Sequence, residues 1–426
     1  MSDTLTASAI RAAGLSASET AEAVISMIEQ REEDVQAWAH FDAEAVRAQA
    51  AELDARPERG PLHGVPVGVK DVINTKDMPT QHNSARYLGS QPGVDAACVD
   101  TLRHAGALIV GKTVTTEFAF TSRGSKTRNP LDLTRTPGGS SSGSGAAVAA
   151  GMASLALGTQ TGGSTIRPAS YNGVFGWKPT WNAISREGLK MYSATCDTLG
   201  LYARDADDFG MLADVFGFFA LADLPVSLSG LKIGFTRTPT WEQCEPSVVA
   251  AMDQAASLLE AAGASVSELV LPGPFDKIHA AHASILDCEG RSAVLNEVLT
   301  TEGIHDEFVA KVENRKGETP DSLRAAYRLA DECRGIFDDL ASGYDIVMTP
   351  SATSEAPVGL TSTGNASMNS MWTVLQVPVV SAPGLVGPAG MPIGVSFVAR
   401  RYEDRRAIAV AKLAGQVFSG ALAAAA

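Results

Sequence analysis

The sequence predicts an α/β layered fold in which a β-sheet lies between helices. Short runs of β-branched residues alternate along the chain with segments of helical periodicity, a pattern typical of layered α/β proteins. Twice a helical stretch ends at a glycine, Gly106 or Gly263, and continues directly into a β-branched run. Apolar residues make up 45% of the 426 residues and charged residues 19%, so the chain can bury a large core.

The first predicted helical segment is placed by its cap and by the spacing of its apolar residues. Ser16 and Glu19 have the spacing of a capping box, and the apolar residues that follow, as far as Trp38, approximate one face. These features predict that residues 16–57 are helical.

Three further helical segments follow along the chain. Residues 101–105 are predicted to end a helix before the first glycine junction. A helix is predicted over residues 248–262, because Pro246 suits a first turn and apolar residues recur there at helical spacing. Residues 270–340 are more helical and more charged than the rest, which predicts a lid or cap over the core.

The predicted strands are short runs rich in valine and isoleucine. Such runs, when glycine, proline or polar residues bound them, are typical of buried strands. They lie at residues 64–73, 107–110, 231–235, 264–266, 344–348, 377–381 and 393–398.

Charge and cysteine usage exclude several classes of protein. The chain has 34 basic and 48 acidic residues, a formal charge of −14, which argues against nucleic acid or an anionic membrane as its partner. No apolar run reaches the roughly 20 residues that a membrane-spanning helix needs, and the first ten residues lack the pattern of a signal peptide. Five scattered cysteines without a CxxC pair predict a reduced, cytoplasmic protein.

Three familiar patterns occur without the context that their chemistry needs. Residues 106–113 fit the GxxxxGK[ST] expression of a P-loop, but the middle residues Ala-Leu-Ile-Val have the character of a strand. Residues 139–143 match GxSxG, but no buried strand precedes them. His279 and His282 share one possible helix face, and the sequence shows no further metal ligands for them. None of the three patterns predicts a site.

The glycine- and serine-rich segment at residues 134–171 differs from the rest of the chain. Its two clusters, Gly-Gly-Ser-Ser-Ser-Gly-Ser at 138–144 and Thr-Gly-Gly-Ser at 161–164, flank an alanine-rich helix and a short apolar strand. Because an ordered helix begins directly after the first cluster, a flexible linker is not favoured there. We expect catalytic residues of the protein in this segment.

Together with Lys70, these two clusters resemble the amidase signature family. GGSSSGS, ALGTQTGGS and the IRPA that follows are similar to malonamidase and related small bacterial amidases, and GKTxxxEF at 111–118 is a further family trait. The resemblance implies a single catalytic α/β domain at 61–426, with a mixed central β-sheet flanked by helices on both sides and a helical cap-like segment at about 270–340. Residues 1–60 are then expected to be helices packed on the core.

The resemblance also implies a Ser–cis-Ser–Lys triad without metal or cofactor. Ser164 is expected to be the nucleophile, Ser140 the bridging serine after a cis peptide bond, and Lys70 the base. A lysine acts as a base only if its pKa falls from about 10.4 towards 7–8, which burial achieves by penalising the ammonium form. The valine run around Lys70 supplies that setting, and Asp71 is expected to point to the opposite face of the strand.

Thr161, Gly162, Gly163 and Ser164 are the candidates for an oxyanion hole. Glycines let the chain turn so that several backbone N–H groups meet at one point. For substrate binding the resemblance implies Gly139 and Arg167. The malonamidase-like branch has an arginine where Arg167 stands, three residues after the nucleophile, and a guanidinium can hold a substrate carboxylate with two hydrogen bonds. A surface salt bridge is the competing role for this arginine.

The expected activity is hydrolysis of a small amide through an acyl-enzyme on Ser164, with a carboxylate-bearing, malonamate-like amide as one candidate. Biuret or urea-type compounds, aryl amides and hydrazides stay open as substrates. Relatives suggest a homodimer. The alternatives are an amidotransferase-type subunit that works in a complex, and a non-catalytic binding protein that keeps the fold.

Overall fold

A mixed sheet of eleven strands forms the centre of the protein in a computed structural model that describes residues 5–425. Residues 1–4 of the predicted N-terminal segment and residue 426 of the predicted catalytic domain lie outside the described residues. The strands are β1 (Trp38–Phe41), β2 (Pro66–Lys70), β3 (Leu108–Thr113), β4 (Leu155–Gln160), β5 (Phe175–Lys178), β6 (Thr198–Ala203), β7 (Lys232–Phe235), β8 (Ser265–Glu268), β9 (Ile346–Pro350), β10 (Val379–Val386) and β11 (Pro392–Val398).

Helices flank this sheet, so the predicted layered α/β class with a mixed sheet is confirmed. The helices of the described residues are α1 (Ala7–Ala13), α2 (Ala17–Val35), α3 (Ala43–Asp54), α4 (Ala97–His104), α5 (Ser142–Ala149), α6 (Ile166–Asn172), α7 (Ala206–Val215), α8 (Pro246–Ala261), α9 (Ile278–Ala293), α10 (Leu295–Thr300), α11 (Asp306–Val312), α12 (Pro320–Ala341), α13 (Ser367–Val374) and α14 (Asp404–Ala425).

The order of the strands is β1-β3-β2-β4-β6-β5-β10-β11-β9-β7-β8. Strands β3, β2 and β4 are parallel neighbours, and β9, β7 and β8 form a second parallel group. The pairs between these two groups are antiparallel. Because β2 and β4 run parallel, their carboxyl ends lie at the same edge of the sheet.

The predicted helix over residues 16–57 is wrong at its centre, where β1 pairs with β3 at the edge of the sheet. The chain leaves α2 at Gln36, which takes a positive φ of 53°. Trp38 then enters the strand, and its indole covers two glycines of neighbouring strands: a Cβ on Gly68 or Gly111 would lie 3.3 Å or 3.0 Å from the ring. The apolar position that suggested a helix face therefore belongs to a strand.

Residues 270–340 are mostly helical, as the sequence predicts, and carry helices α9 to α12. Apolar residues of α9 and α12 form one buried cluster with α13, including Ile285, Cys333 and Trp372. This cluster holds α9 against the loop that follows β4, where the candidate site lies.

Within the described residues α14 alone is long and apolar enough, by length and composition, to span a membrane. It packs against β10, α7 and α8, and its buried face belongs to the main core. That face consists of Ala407, Ile408, Val410, Ala411, Ala414 and Phe418. A helix with one buried apolar face is the ordinary pattern of a core helix.

Candidate active site

The site is built where β2 and β4 end. Lys70 is the last residue of β2, Thr159 lies near the end of β4, and the loop at 161–165 connects β4 to α6. In sheets with parallel strands, clefts at the carboxyl ends of the strands are the usual place for ligands. The two distant motifs of the sequence therefore meet at one edge of the sheet.

Lys70 is fully buried between two hydroxyl groups. Its Nζ lies 2.7 Å from Ser140 Oγ and 2.6 Å from Thr159 Oγ1. Burial holds the pKa of Lys70 well below its ordinary value, and the charge of Asp197 opposes this effect only in part. Asp71 points away and pairs with Lys112 at 3.3 Å. Burial therefore favours the neutral form of the amine that faces the Ser140 hydroxyl.

The first glycine-serine cluster is an ordered loop leading into α5. The peptide bond between Gly139 and Ser140 is cis, in agreement with the resemblance. Ser142 Oγ donates to the carbonyl of Gly138 at 2.8 Å, and Ser144 Oγ donates to the carbonyl of Leu157 at 2.8 Å. The first bond closes the loop on itself and the second ties the start of α5 to β4, so the loop is not a flexible linker.

Every carbonyl of the second cluster accepts a hydrogen bond. The donors are His282 Nε2 to Thr161 at 2.8 Å, Thr373 Oγ1 to Gly162 at 2.7 Å, the Arg167 N–H to Gly163 at 3.1 Å and the Tyr202 hydroxyl to Ser164 at 3.1 Å. Gln160 also fixes the end of the loop, because its Oε1 accepts hydrogen bonds from the N–H groups of Thr165 and Ile166. The loop is thereby held from several sides.

Three N–H groups of this loop, unlike that of Thr165, have no partner in the described chain. Among residues 5–425, no acceptor takes a hydrogen bond from the N–H of Gly162, Gly163 or Ser164. Fixed carbonyls and free N–H groups are what an oxyanion hole needs, since the donors are oriented before any charge develops. The geometry gives these three residues the means to bind a developing oxyanion.

A cavity of about 500 Å³ opens above the loop. Ser164 lines it together with Arg167, His279 and His282, and so do aromatic and amide side chains such as Phe120 and Gln243. No aspartate or glutamate of the described chain lines it. Its size suits a small molecule, and its only formal charge is positive.

Arg167 is buried beneath this cavity and has no acidic partner in the part of the chain that the structure describes. Its Nη2 donates to the carbonyl of Gly139 and, at 3.1 Å, to Thr363 Oγ1, while its Nε is buried without a partner. The surface salt bridge considered as an alternative is therefore not formed with any of these residues. A buried guanidinium without a counter-charge is costly, so it favours an anionic ligand.

Several residues of the site were missed by the sequence analysis. Thr159 stands inside the quoted motif, and its position two residues before Thr161 is the signal that could have found it. Asp197 accepts from Thr161 Oγ1 at 2.6 Å, and Thr373 contacts the same loop, yet no motif marks either residue. His282 was considered only as a metal ligand. Among residues 5–425 no cluster of three or more histidine, cysteine or acidic side chains is placed to hold a metal.

Comparisons with known proteins agree with this architecture. The sequence model of the family described as Amidase matches residues 19–408. The A subunit of glutamyl-tRNA(Gln) amidotransferase from Symbiobacterium thermophilum is 34% identical, over 93% of this chain and 92% of that protein. A crystal structure of an amidase superposes with a TM-score of 0.85 at 26% identity, covering 96% of this chain and 97% of the other. The A subunit of the same amidotransferase from Thermotoga maritima gives 0.79 at 25%, covering 93% and 91%.

The fold and these matches define an α/β enzyme that acts on amide C–N bonds. The chain belongs to the amidase family, whose members are the amidase signature enzymes. The family predicted from the two glycine-serine clusters is thereby confirmed.

Proposed function

We propose that the chain hydrolyses a small amide through an acyl-enzyme on Ser164. The observation that carries this proposal is the buried amine of Lys70, 2.7 Å from the Ser140 hydroxyl, with a pKa far below the ordinary lysine value. A serine hydroxyl is a weak nucleophile until a base accepts its proton, and a neutral lysine can be that base.

The proposed proton path runs from Ser164 through Ser140 to Lys70. Ser164 Oγ attacks the amide carbon, its proton moves to Ser140 Oγ, and the Ser140 proton moves to Lys70 Nζ. The N–H groups of Gly162, Gly163 and Ser164 would stabilise the oxyanion. When the C–N bond breaks, the same relay returns the proton to the departing amine, and water then hydrolyses the ester by the same path.

For the substrate we propose an amide that also bears a carboxylate, malonamate-like in size. Arg167 supports this choice because its guanidinium is buried at the cavity without an acidic partner among the described residues. Its bond to the carbonyl of Gly139 ties the guanidinium to the first glycine-serine cluster, and the substrate-binding role expected for Gly139 stays a prediction. Biuret-type compounds, aryl amides and hydrazides are the competing substrates.

Product release from purified protein tests the proposed chemistry. A panel of small amides with and without a carboxylate is offered to the wild type, Ser164→Ala and Lys70→Met. We expect both variants to lose about 10³-fold or more in kcat, because a triad acts as a unit. Lys178→Met is the matched control, since Lys178 is also a fully buried lysine of the sheet but lies outside the site. Wild-type rates in either active-site variant would refute the triad.

A change at Arg167 tests the substrate class separately. In Arg167→Gln the ratio of kcat/KM for a carboxylate-bearing amide to that for its neutral counterpart should fall about 10- to 100-fold, because a bidentate charged contact is lost. Thr363→Val is the control: it removes a side-chain hydrogen-bond partner of the guanidinium and keeps the charge. An unchanged ratio in Arg167→Gln would contradict the proposal that Arg167 binds a substrate carboxylate.

An amidotransferase-type subunit is the second candidate, and the relatives in sequence favour it over malonamate-like hydrolysis. The A subunits of glutamyl-tRNA(Gln) amidotransferases match across more than nine-tenths of this chain. Free glutamine carries an α-ammonium group, however, and the cavity offers no carboxylate for it within the described residues. Glutaminase activity that appears only with co-purified partner chains would support this candidate.

We also propose that the protein forms a homodimer and is located in the cytoplasm. A homodimer, implied by the resemblance, is tested by light scattering during size-exclusion chromatography. A reduced, cytoplasmic location is supported by the five cysteines, all of which are free in the described chain.

A further inference from the structure

His282 is the one side chain of the predicted cap that, among the described residues, bonds the backbone of the candidate oxyanion loop. It comes from α9 and is buried, and its Nε2 lies 2.8 Å from the carbonyl oxygen of Thr161. A carbonyl oxygen can only accept, so Nε2 carries the proton in this bond. The ring lies against the loop, since a Cβ on Gly162 would be 3.9 Å from its Cε1.

This hydrogen bond orients the next N–H group. The peptide between Thr161 and Gly162 is planar and trans, so its carbonyl and its N–H point in opposite directions. His282 holds the carbonyl on the α9 side, and the N–H of Gly162 must then point away from α9. Because that N–H has no acceptor within residues 5–425, its direction depends on the bond to the carbonyl.

Thr373 of α13 acts in the same way on the following peptide. Its Oγ1 donates to the carbonyl of Gly162 at 2.7 Å, which fixes the N–H of Gly163. A second donor from a distant part of the chain thus holds a neighbouring peptide. The carbonyl of Thr161 nevertheless has His282 as its only donor among residues 5–425.

We propose that His282 is a positioning residue that couples α9 to the oxyanion hole by fixing the Thr161–Gly162 peptide. This inference rests on the proposed amide hydrolysis. Its role is indirect: it touches neither the nucleophile nor the base, and it acts through the N–H of Gly162. Thr373 plays the corresponding part for Gly163.

Two substitutions at one position separate positioning from packing. His282→Gln can place its Nε2 donor near the position of the histidine Nε2, whereas His282→Leu fills a similar volume without a donor. We expect His282→Leu to lower kcat about 10- to 100-fold and to change KM less than 3-fold. Deleting an oxyanion-hole donor costs about 10²–10³ in kcat, and this substitution only displaces the N–H of Gly162, so the expected loss is smaller. His282→Gln should stay within about 3-fold of the wild type.

Crystal structures of both variants give a readout that is independent of activity. The Thr161–Gly162 peptide should be rotated or split between two orientations in His282→Leu and unchanged in His282→Gln. The inference is overturned if His282→Leu keeps both the peptide orientation and kcat, or if the two variants lose kcat equally, which is the result of a packing role.

The outcome separates this inference from the proposed function. If Ser164→Ala and Lys70→Met are inactive but His282→Leu keeps the wild-type kcat and peptide orientation, the inference alone fails. If the wild type hydrolyses no amide, the proposed function fails, and the peptide orientation in the two crystal structures still decides whether His282 positions the loop. The same comparison can be made at the Gly162–Gly163 peptide: Thr373→Val removes the hydroxyl donor, and Thr373→Ser keeps it.

Discussion

At the scale of single residues, the chemistry depends on where the amine of Lys70 lies. Its position at the end of a central strand removes it from water, and the hydroxyls of Ser140 and Thr159 are its polar neighbours. An exposed lysine would be protonated at neutral pH and could not accept a proton. Burial therefore has a stability cost, and it is also the condition for activity.

The same burial predicts a pH-dependent stability difference between the wild type and Lys70→Met. The folded pKa of Lys70 lies below its unfolded value of about 10.4, so between the two values the unfolded state binds more protons and stability rises with pH. The free energy of unfolding of the wild type should rise relative to Lys70→Met by up to about 1.4 kcal/mol per pH unit in that window.

Urea titrations between about pH 7.5 and 9.5 measure this difference. Lys178→Met serves as the matched comparison, because burial also lowers the pKa of Lys178, to about 7. The difference in free energy of unfolding between the wild type and Lys178→Met should therefore rise with pH at the same slope. A wild-type minus Lys70→Met difference that is flat with pH would show that the amine at position 70 is not neutral in the folded protein.

At the scale of elements, α5 reaches the sheet only because a glycine lies at the contact. A Cβ on Gly143 would lie 2.2 Å from the carbonyl oxygen of Ala37 and 2.4 Å from the backbone nitrogen of Val114. Those atoms are backbone and cannot move aside cheaply. The N-terminus of α5, which follows Ser140 directly, therefore depends on this close approach.

Alanine substitutions at two helical glycines test that dependence. Gly143→Ala should lower the free energy of unfolding by about 2–3 kcal/mol, the cost of overpacking. Gly210→Ala, in α7, meets no atom within 4 Å and should raise it by about 0.5–1 kcal/mol through helix propensity. Chemical denaturation measures both, and equal effects would contradict the packing argument.

Most strands were recognised from runs rich in valine and isoleucine, and the glycines within β2 and β7 did not hide those strands. The runs that became β2, β3, β7, β8, β9, β10 and β11 were found from the sequence, and so was the short apolar strand that became β4. Strands β5 and β6, which contain Gly176 and Gly200, were not predicted. In the structure these two glycines make room for α6: a Cβ there would lie 2.4 Å from Ala169 Cβ or 2.0 Å from Thr165 Oγ1. The spacing of apolar residues along the sequence carries no information about such tertiary contacts.

At the scale of the whole molecule, residues from distant parts of the sequence form one site. The resemblance to the amidase signature family implied Lys70, Ser140 and Ser164 as partners, and the fold places the first two in contact. His282 and Thr373 lie more than a hundred residues after the loop they hold, so nothing local could predict them. A sequence shows which residues carry the chemistry more readily than which residues position them.

The net charge of −14 and the single positive charge at the cavity act over different distances. Screening limits the long-range repulsion of an anionic substrate to about 8 Å at physiological salt. Inside the cavity, Arg167 meets no acidic side chain of the described residues and is not neutralised. The local guanidinium, and not the overall charge, is expected to decide which amides bind.

The most direct measurement for the central claim is covalent labelling of the folded enzyme by a serine-reactive acylating probe, located by peptide mass spectrometry. We expect one modified residue, Ser164, in the wild type and in Lys178→Met, and at least tenfold slower labelling in Lys70→Met. Labelling at another residue, or an equal rate at Ser164 without the lysine, would contradict the claim that a buried amine activates this serine.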